Sequence, residues 1–287
     1  MALKDLLVYL DPTEGSLGRL RLAADLARRH QSCLTALYVR QWTPGQLERR
    51  KTAELAGRPL SELGDIQQAA EESIDRSAVE LRSAFQRLTA QNGLEAEWRM
   101  LDGQPGSILP QHALYSDLCI LGAQMPEAST PAGYRFSDEM LFAAGRPVLL
   151  VPRAAESTAL GSHVAIAWNS SRSAARALND ALPLLERSER ATVIVVNPTE
   201  FVRAHAALAP AQLLQHLRRH GISADWVELC DVPASAIAST LQEKAHAAGA
   251  DMIVAGAHGH TWMHEVLLGS VTRDVLSDLR IAVMMSH

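Results

Sequence analysis

The sequence repeats one order of strands and turns along its length, and this repeat strongly limits how the chain can fold. The turn Leu10-Asp11-Pro12 follows an early apolar run, and Trp168-Asn169-Ser170 follows a similar run in the second half. Further on, SDLCILGA from Ser116 matches ADMIVAGA from Ala250. A repeat at this scale indicates duplicated domains, because solenoid periods are shorter. Chance similarity between two α/β domains is the alternative.

Within each half, short apolar runs alternate with segments of helical spacing. In the first half, LLVYL and LTALYV flank a segment from Ser16 to His30 in which leucine and alanine recur at helical intervals. Strand, helix and strand joined by short turns predict a parallel sheet with right-handed crossovers. The more polar residues around 43–65 indicate an insertion or a long loop, and residues 152–162 a linker.

This alternation predicts five strands and at least four helices in each half. The predicted strands are 6–10, 34–39, 95–101, 118–121 and 147–151, then 163–167, 191–196, 224–229, 252–255 and 281–285. The predicted helices are 16–30, 66–91, 106–114 and 137–144, then 173–185, 210–220, 234–248 and 271–279. We therefore expect an α/β protein with domains at residues 1–153 and 161–287.

Bulk properties exclude several classes of protein. The formal net charge of −5 provides no basic surface for nucleic acid. No apolar stretch reaches the roughly 18 residues that a membrane-spanning helix needs. The three cysteines are widely separated, which argues against a disulfide framework or a zinc knuckle. The amino-terminal apolar run is short and interrupted by Lys4-Asp5, unlike a secretory signal. We expect a cytoplasmic protein with no nucleic-acid or membrane partner.

A glycine motif follows the fourth strand of the second half. Gly256-Ala257-His258-Gly259 is followed, after nine residues, by Gly269-Ser270-Val271-Thr272. Glycine allows positive φ and close backbone approach to a ligand. Gly269-Ser270 would open a helix, whose free N–H groups and dipole favour phosphate. The alternative is that Gly256 and Gly259 only make turns.

This motif resembles the signature of the universal stress protein family, Gly-x2-Gly-x9-Gly-Ser/Thr. The resemblance implies two tandem Rossmann-like domains of the adenine nucleotide alpha hydrolase-like type, each a five-stranded parallel sheet flanked by helices. It also implies that Ala167, Asn169 and Val196 line an adenine pocket. Ribose and phosphates would be held by seven residues, namely Gly256, His258, Gly259, Gly269, Ser270, Val271 and Thr272. Asn169 departs from the family's usual Asp, and the loop around Trp262 is bulkier and less basic than usual.

The first half has lost this motif. Gly122-Ala123-Gln124-Met125 lacks the second glycine, and no Gly-Ser or Gly-Thr pair opens the next helix. Asp11 remains at the position that contacts adenine in the family. We expect no ATP in the first domain.

The resemblance implies a stress-response protein that binds ATP or another adenine nucleotide in its second domain, with Mg²⁺ as an optional companion. The alternative is a stress protein that binds no nucleotide and acts through protein partners or another small ligand. We expect no metal site and no catalytic residues. Slow ATP hydrolysis is the only enzymatic activity that this interpretation leaves open. PVLLV and IAVMM are expected to pair antiparallel, as family domains do, making an intramolecular pseudo-dimer. A further homodimer is left open.

Overall fold

The structure, a computed structural model, describes residues 2–40, 65–123, 140, 143–153, 160–198, 208–256 and 279–286. The strands are β1 (Asp5–Leu10), β2 (Cys33–Arg40), β3 (Ala96–Asp102), β4 (Leu118–Gly122), β5 (Val148–Val151), β6 (His163–Ala167), β7 (Arg190–Val196), β8 (Ala224–Leu229), β9 (Met252–Gly256) and β10 (Ala282–Ser286). The helices are α1 (Gly15–His30), α2 (Asp65–Gln91), α3 (Pro105–Ala113), α4 (Arg172–Leu185), α5 (Leu208–Arg219) and α6 (Ile237–Ala247).

The strands of the described residues form one sheet in the order β3-β2-β1-β4-β5-β10-β9-β6-β7-β8. Neighbouring strands are parallel within each half, so both halves have the same doubly wound order. The halves meet where β5 and β10 pair antiparallel, with Val283 opposite Leu150 and Met284 opposite Leu149. The predicted α/β fold, with a five-stranded parallel sheet in each half, is confirmed.

Helices cover both faces of this sheet. One cluster of buried apolar side chains places α1, α2, α4 and α5 on the first face, and it runs through both halves. A second cluster places α3 and α6 on the other face. Strands covered on both sides need apolar residues at every position, which explains continuous runs such as LLVYL and LCILG. The edge strands β3 and β8 are partly exposed and correspondingly more polar.

Where the structure describes them, the bounds of the elements lie within two residues of the predicted ones, except at the start of α6. Helix α1, predicted from Ser16, begins one residue earlier at Gly15, because the Ser16 N–H already donates to the Thr13 carbonyl at 3.1 Å. The helix predicted from Ala234 begins as a 3₁₀ turn, and α6 proper starts at Ile237. Nearly all of the predicted insertion, most of the helix over 137–144 and nearly all of that over 271–279 lie outside the described residues.

Candidate functional site

The carboxyl ends of β6, β7 and β9 form one edge of the second half of the sheet. Ala167 ends β6, Val196 ends β7 and Gly256 ends β9. The chain leaves β6 toward β7 and returns from β8 to β9 on the other side of β6, so the strand order reverses between β6 and β9. Open parallel sheets bind ligands in the crevice at such a switch point. The structure therefore brings these three predicted residues to the edge at which sheets of this kind bind ligands.

The turn after β6 is organised by Asn169. Its Oδ1 accepts a hydrogen bond from the N–H of Ser171 at 3.1 Å, which closes an Asx turn. Between them, Ser170 has a left-handed backbone with φ of 58°. Ser171 then caps α4, because its Oγ accepts from the N–H of Ala174 at 3.1 Å. Asn169 is thus held half-buried beside the end of β6.

Gly256 is required by the packing of a helix. A Cβ atom at this position would lie 2.5 Å from Ala174 N and 2.5 Å from the carbonyl carbon of Ser173. The first turn of α4 therefore lies directly against the end of β9. Gly256 is not among the glycines with positive φ. The positive φ considered for it from the sequence is wrong, and the close backbone approach is to α4.

Asn197, which follows Val196 directly, connects the turns after β7 and β8 by hydrogen bonds. Asn197 Nδ2 donates to the Val232 carbonyl at 2.6 Å, and its Oδ1 accepts from the Val232 N–H at 3.0 Å. Both Asn197 and Asp231 have positive φ, 50° and 57°. The structural roles of Asn197 and Ser171 were not predicted from the sequence. An Asn directly after a strand and a Ser directly before a helix are the signals that point to them.

The corresponding turn of the first half is closed by an ion pair. Asp11 is 1% exposed and Arg19 is 3% exposed, and Arg19 Nη2 lies 2.9 Å from Asp11 Oδ2. Asp11 Oδ1 accepts from the N–H of Thr13 at 2.9 Å and from Ser16 Oγ at 3.0 Å. Both oxygens of the carboxylate that the family resemblance places beside adenine are therefore hydrogen-bonded within the chain.

A cavity of about 260 Å³ lies at the carboxyl edge of the first half. Its lining includes Gly122, Arg19 and Arg153. Arg153 Nη2 is bonded to Glu14 Oε2 at 2.6 Å, and Arg19 is bonded to Asp11. Positive and negative groups are therefore paired with each other around this cavity.

Four of the predicted site residues, Ala167, Asn169, Val196 and Gly256, lie on the switch-point edge of the second half. The remaining predicted contacts lie outside the described residues, and they are His258, Gly259, Gly269, Ser270, Val271 and Thr272. Across the described part of the chain, His, Cys, Asp and Glu side chains form no group of three or more that could hold a metal ion. A helix long and apolar enough to cross a membrane does not occur among the same residues.

Part of the sequence matches a known family. The model of the Universal stress protein family matches residues 230–287, a range that contains β9, β10 and the whole glycine motif. A comparison with curated proteins gave no match.

Solved structures with a similar fold include a universal stress protein from Archaeoglobus fulgidus, 18% identical, with a TM-score of 0.69 over 98% of this chain and 95% of that chain. A protein of unknown function from Pseudomonas aeruginosa is 16% identical, with a TM-score of 0.55 over 99% of this chain and 92% of that chain. A second universal stress protein from Archaeoglobus fulgidus, in complex with dAMP, is 18% identical, with a TM-score of 0.30 over 52% of this chain and 97% of that chain. The first two likenesses show a shared fold, and the dAMP is a ligand of the third protein. The family match over residues 230–287, together with a fold shared over nearly the whole chain, confirms the resemblance to the universal stress protein family.

Proposed function

We propose that this chain is a cytoplasmic stress-response protein of the universal stress protein type, whose second domain, residues 161–287, binds ATP or another adenine nucleotide. Adenine lies beside Ala167, Asn169 and Val196. The loop from Gly256 to Thr272 holds ribose and phosphates, and Mg²⁺ accompanies a bound triphosphate where present.

One observation carries this proposal. The glycine motif, within the segment that matches the family model, starts at Gly256, the last residue of the strand beside the switch point. Gly256 is in close contact with the first turn of α4, where the helix dipole favours a negative charge. A phosphate-binding loop in this position would face both the sheet edge and a helix amino terminus.

The first domain, residues 1–153, has a structural role in this proposal. Asp11 is 1% exposed and is bound to Arg19, Thr13 and Ser16, so its carboxylate can reach a base only if this buried group of side chains rearranges. We therefore expect a single nucleotide site per chain. The two domains act as an intramolecular pseudo-dimer joined through β5 and β10.

The first site, in which Asp11 is bound by its own chain, also favours a second candidate. In this candidate neither domain binds a nucleotide, and the chain acts through protein partners or another small ligand.

Isothermal titration calorimetry of the full chain with ATP, with and without Mg²⁺, separates the two candidates. We expect saturable binding at one site per chain. Heat no larger than that of dilution at millimolar ATP would rule out the nucleotide-binding proposal and leave the second candidate.

A matched pair of variants tests the loop. Gly259→Val should abolish binding, because a branched side chain blocks the approach of the backbone to phosphate. Met125 occupies the position of Gly259 in the first half, so Met125→Val is the control and should leave the affinity unchanged. Equal affinities in both variants would contradict the assignment of the loop.

A further inference from the structure

The turns after β1 and β6 share one hydrogen bond, but they differ in their central residue, which is Pro12 in the first and Ser170, with a φ of 58°, in the second. Asp11 Oδ1 accepts from the N–H two residues ahead, that of Thr13, at 2.9 Å. Asn169 Oδ1 likewise accepts from Ser171 N–H at 3.1 Å. A carboxylate in the first half and an amide in the second therefore accept the same hydrogen bond from the backbone two residues ahead.

In the first half the other carboxylate oxygen is bound to Arg19. Arg19 stands eight residues after Asp11, and the residue eight after Asn169 is Ala177, which is 1% exposed. An alanine side chain offers neither charge nor hydrogen bond. Helix α4, the counterpart of α1 in the second half, therefore provides no partner at this position for the second polar atom of Asn169.

The chemistry of the turn identifies that atom. Ser171 N–H is a donor, so the atom that faces it must be the amide oxygen, and the remaining atom is Nδ2. Over the part of the chain that is described, Nδ2 has no hydrogen-bond partner. Asn169 thus offers a free NH₂ donor and one further lone pair on Oδ1. A carboxylate at this position would offer acceptors alone.

We propose that Asn169 allows the second-domain site to accept 6-oxopurine nucleotides as well as 6-aminopurine nucleotides. This inference rests on the proposed function, which places a purine base beside Asn169. An amide can donate through Nδ2 to the O6 atom of hypoxanthine or guanine. The same amide can accept from the N6 amino group of adenine through Oδ1. A carboxylate accepts from N6 but repels O6, because both atoms carry lone pairs and the carboxylate carries a negative charge.

Titration of the full chain with ATP and with ITP tests this inference, since the two differ only in the six-position group and the adjoining ring nitrogen. We expect their dissociation constants to agree within about tenfold for the unmodified chain. Asn169→Asp should weaken ITP relative to ATP by roughly tenfold to a hundredfold, the effect of leaving an unpaired or repelled polar group in a binding site. The Asx turn survives this change, because a carboxylate oxygen can also accept from Ser171.

Asn169→Ala is the control, and it should weaken both nucleotides alike because neither base keeps a partner. If the unmodified chain binds ATP at least a hundredfold more tightly than ITP, or if Asn169→Asp leaves the ratio unchanged, the inference is wrong and the proposed function stands. If neither nucleotide binds, the proposed function fails, and the inference fails with it.

Discussion

Replacing Arg19 by methionine should strongly destabilise the first half. Arg19 Nε donates to the Tyr9 carbonyl at 2.7 Å, and Nη2 lies 2.9 Å from both Asp11 Oδ2 and Ser16 Oγ. Removing one partner of a buried ion pair costs about 3–5 kcal/mol, because the other charge stays buried. Asp11 keeps Thr13 and Ser16 as donors, so we expect a loss of about 3 kcal/mol in the free energy of unfolding. Methionine retains much of the aliphatic volume, which limits any cavity.

The double variant Asp11→Asn, Arg19→Met should recover much of this loss. It removes the uncompensated charge and recreates the amide that the second half carries at Asn169, where Ala177 stands in place of arginine. We expect the double variant to be about 1–2 kcal/mol more stable than Arg19→Met alone, within the usual range of coupling between contacting residues.

Urea unfolding followed by far-UV circular dichroism and tryptophan fluorescence measures both variants. Arg190→Met is the matched control, because its ion pair with Asp225 has side chains 61% and 57% exposed and should contribute no more than about 1 kcal/mol. The reasoning is refuted if Arg19→Met costs no more than Arg190→Met, or if the double variant is no more stable than the single one.

Three further predictions concern other parts of the chain. Burial lowers the pKa of His30 to about 4, so the folded state binds fewer protons than the unfolded state between that pH and 6.5. The free energy of unfolding should therefore fall as pH decreases through this window, by up to about 3 kcal/mol, and His30→Gln should flatten the fall in urea titrations at several pH values. Gly256→Ala should cost about 1–3 kcal/mol by forcing α4 away from β9, whereas Gly15→Ala, whose Cβ meets nothing closer than 3.5 Å, should be neutral or slightly stabilising in thermal unfolding. Burial raises the pKa of Cys119 to about 12, so a thiol reagent under native conditions should modify exposed Cys230 and spare Cys119, as peptide mass spectrometry would show.

The fold could be predicted because its signals are local. LLVYL and LCILG are apolar at every position, which is typical of strands covered on both faces, and the segment from 66 to 91 has helical spacing throughout. The start of α1 was predicted one residue late, because the hydrogen bonds of Ser16 decide whether Gly15 belongs to the turn or to the helix.

The candidate site was predictable only in part. The positions of Ala167, Val196 and Gly256 follow from the ends of predicted strands. The Asp11–Arg19 ion pair joins a turn to a helix, and no periodicity signals which of many arginines will be buried. The roles of Gly256 and Asn197 depend on the approach of α4 and of the β8 turn, which arises only once the sheet has assembled.

The joint between β5 and β10 has a consequence for synthesis on the ribosome. β5 spans Val148–Val151 and its antiparallel partner β10 spans Ala282–Ser286. While the residues between them are translated, one edge of β5 has no neighbouring strand to pair with. An open, fully apolar strand is a template for pairing with other chains. Crowded polysomes should therefore favour exchange of the last strand between neighbouring nascent chains, yielding strand-swapped oligomers when expression is fast.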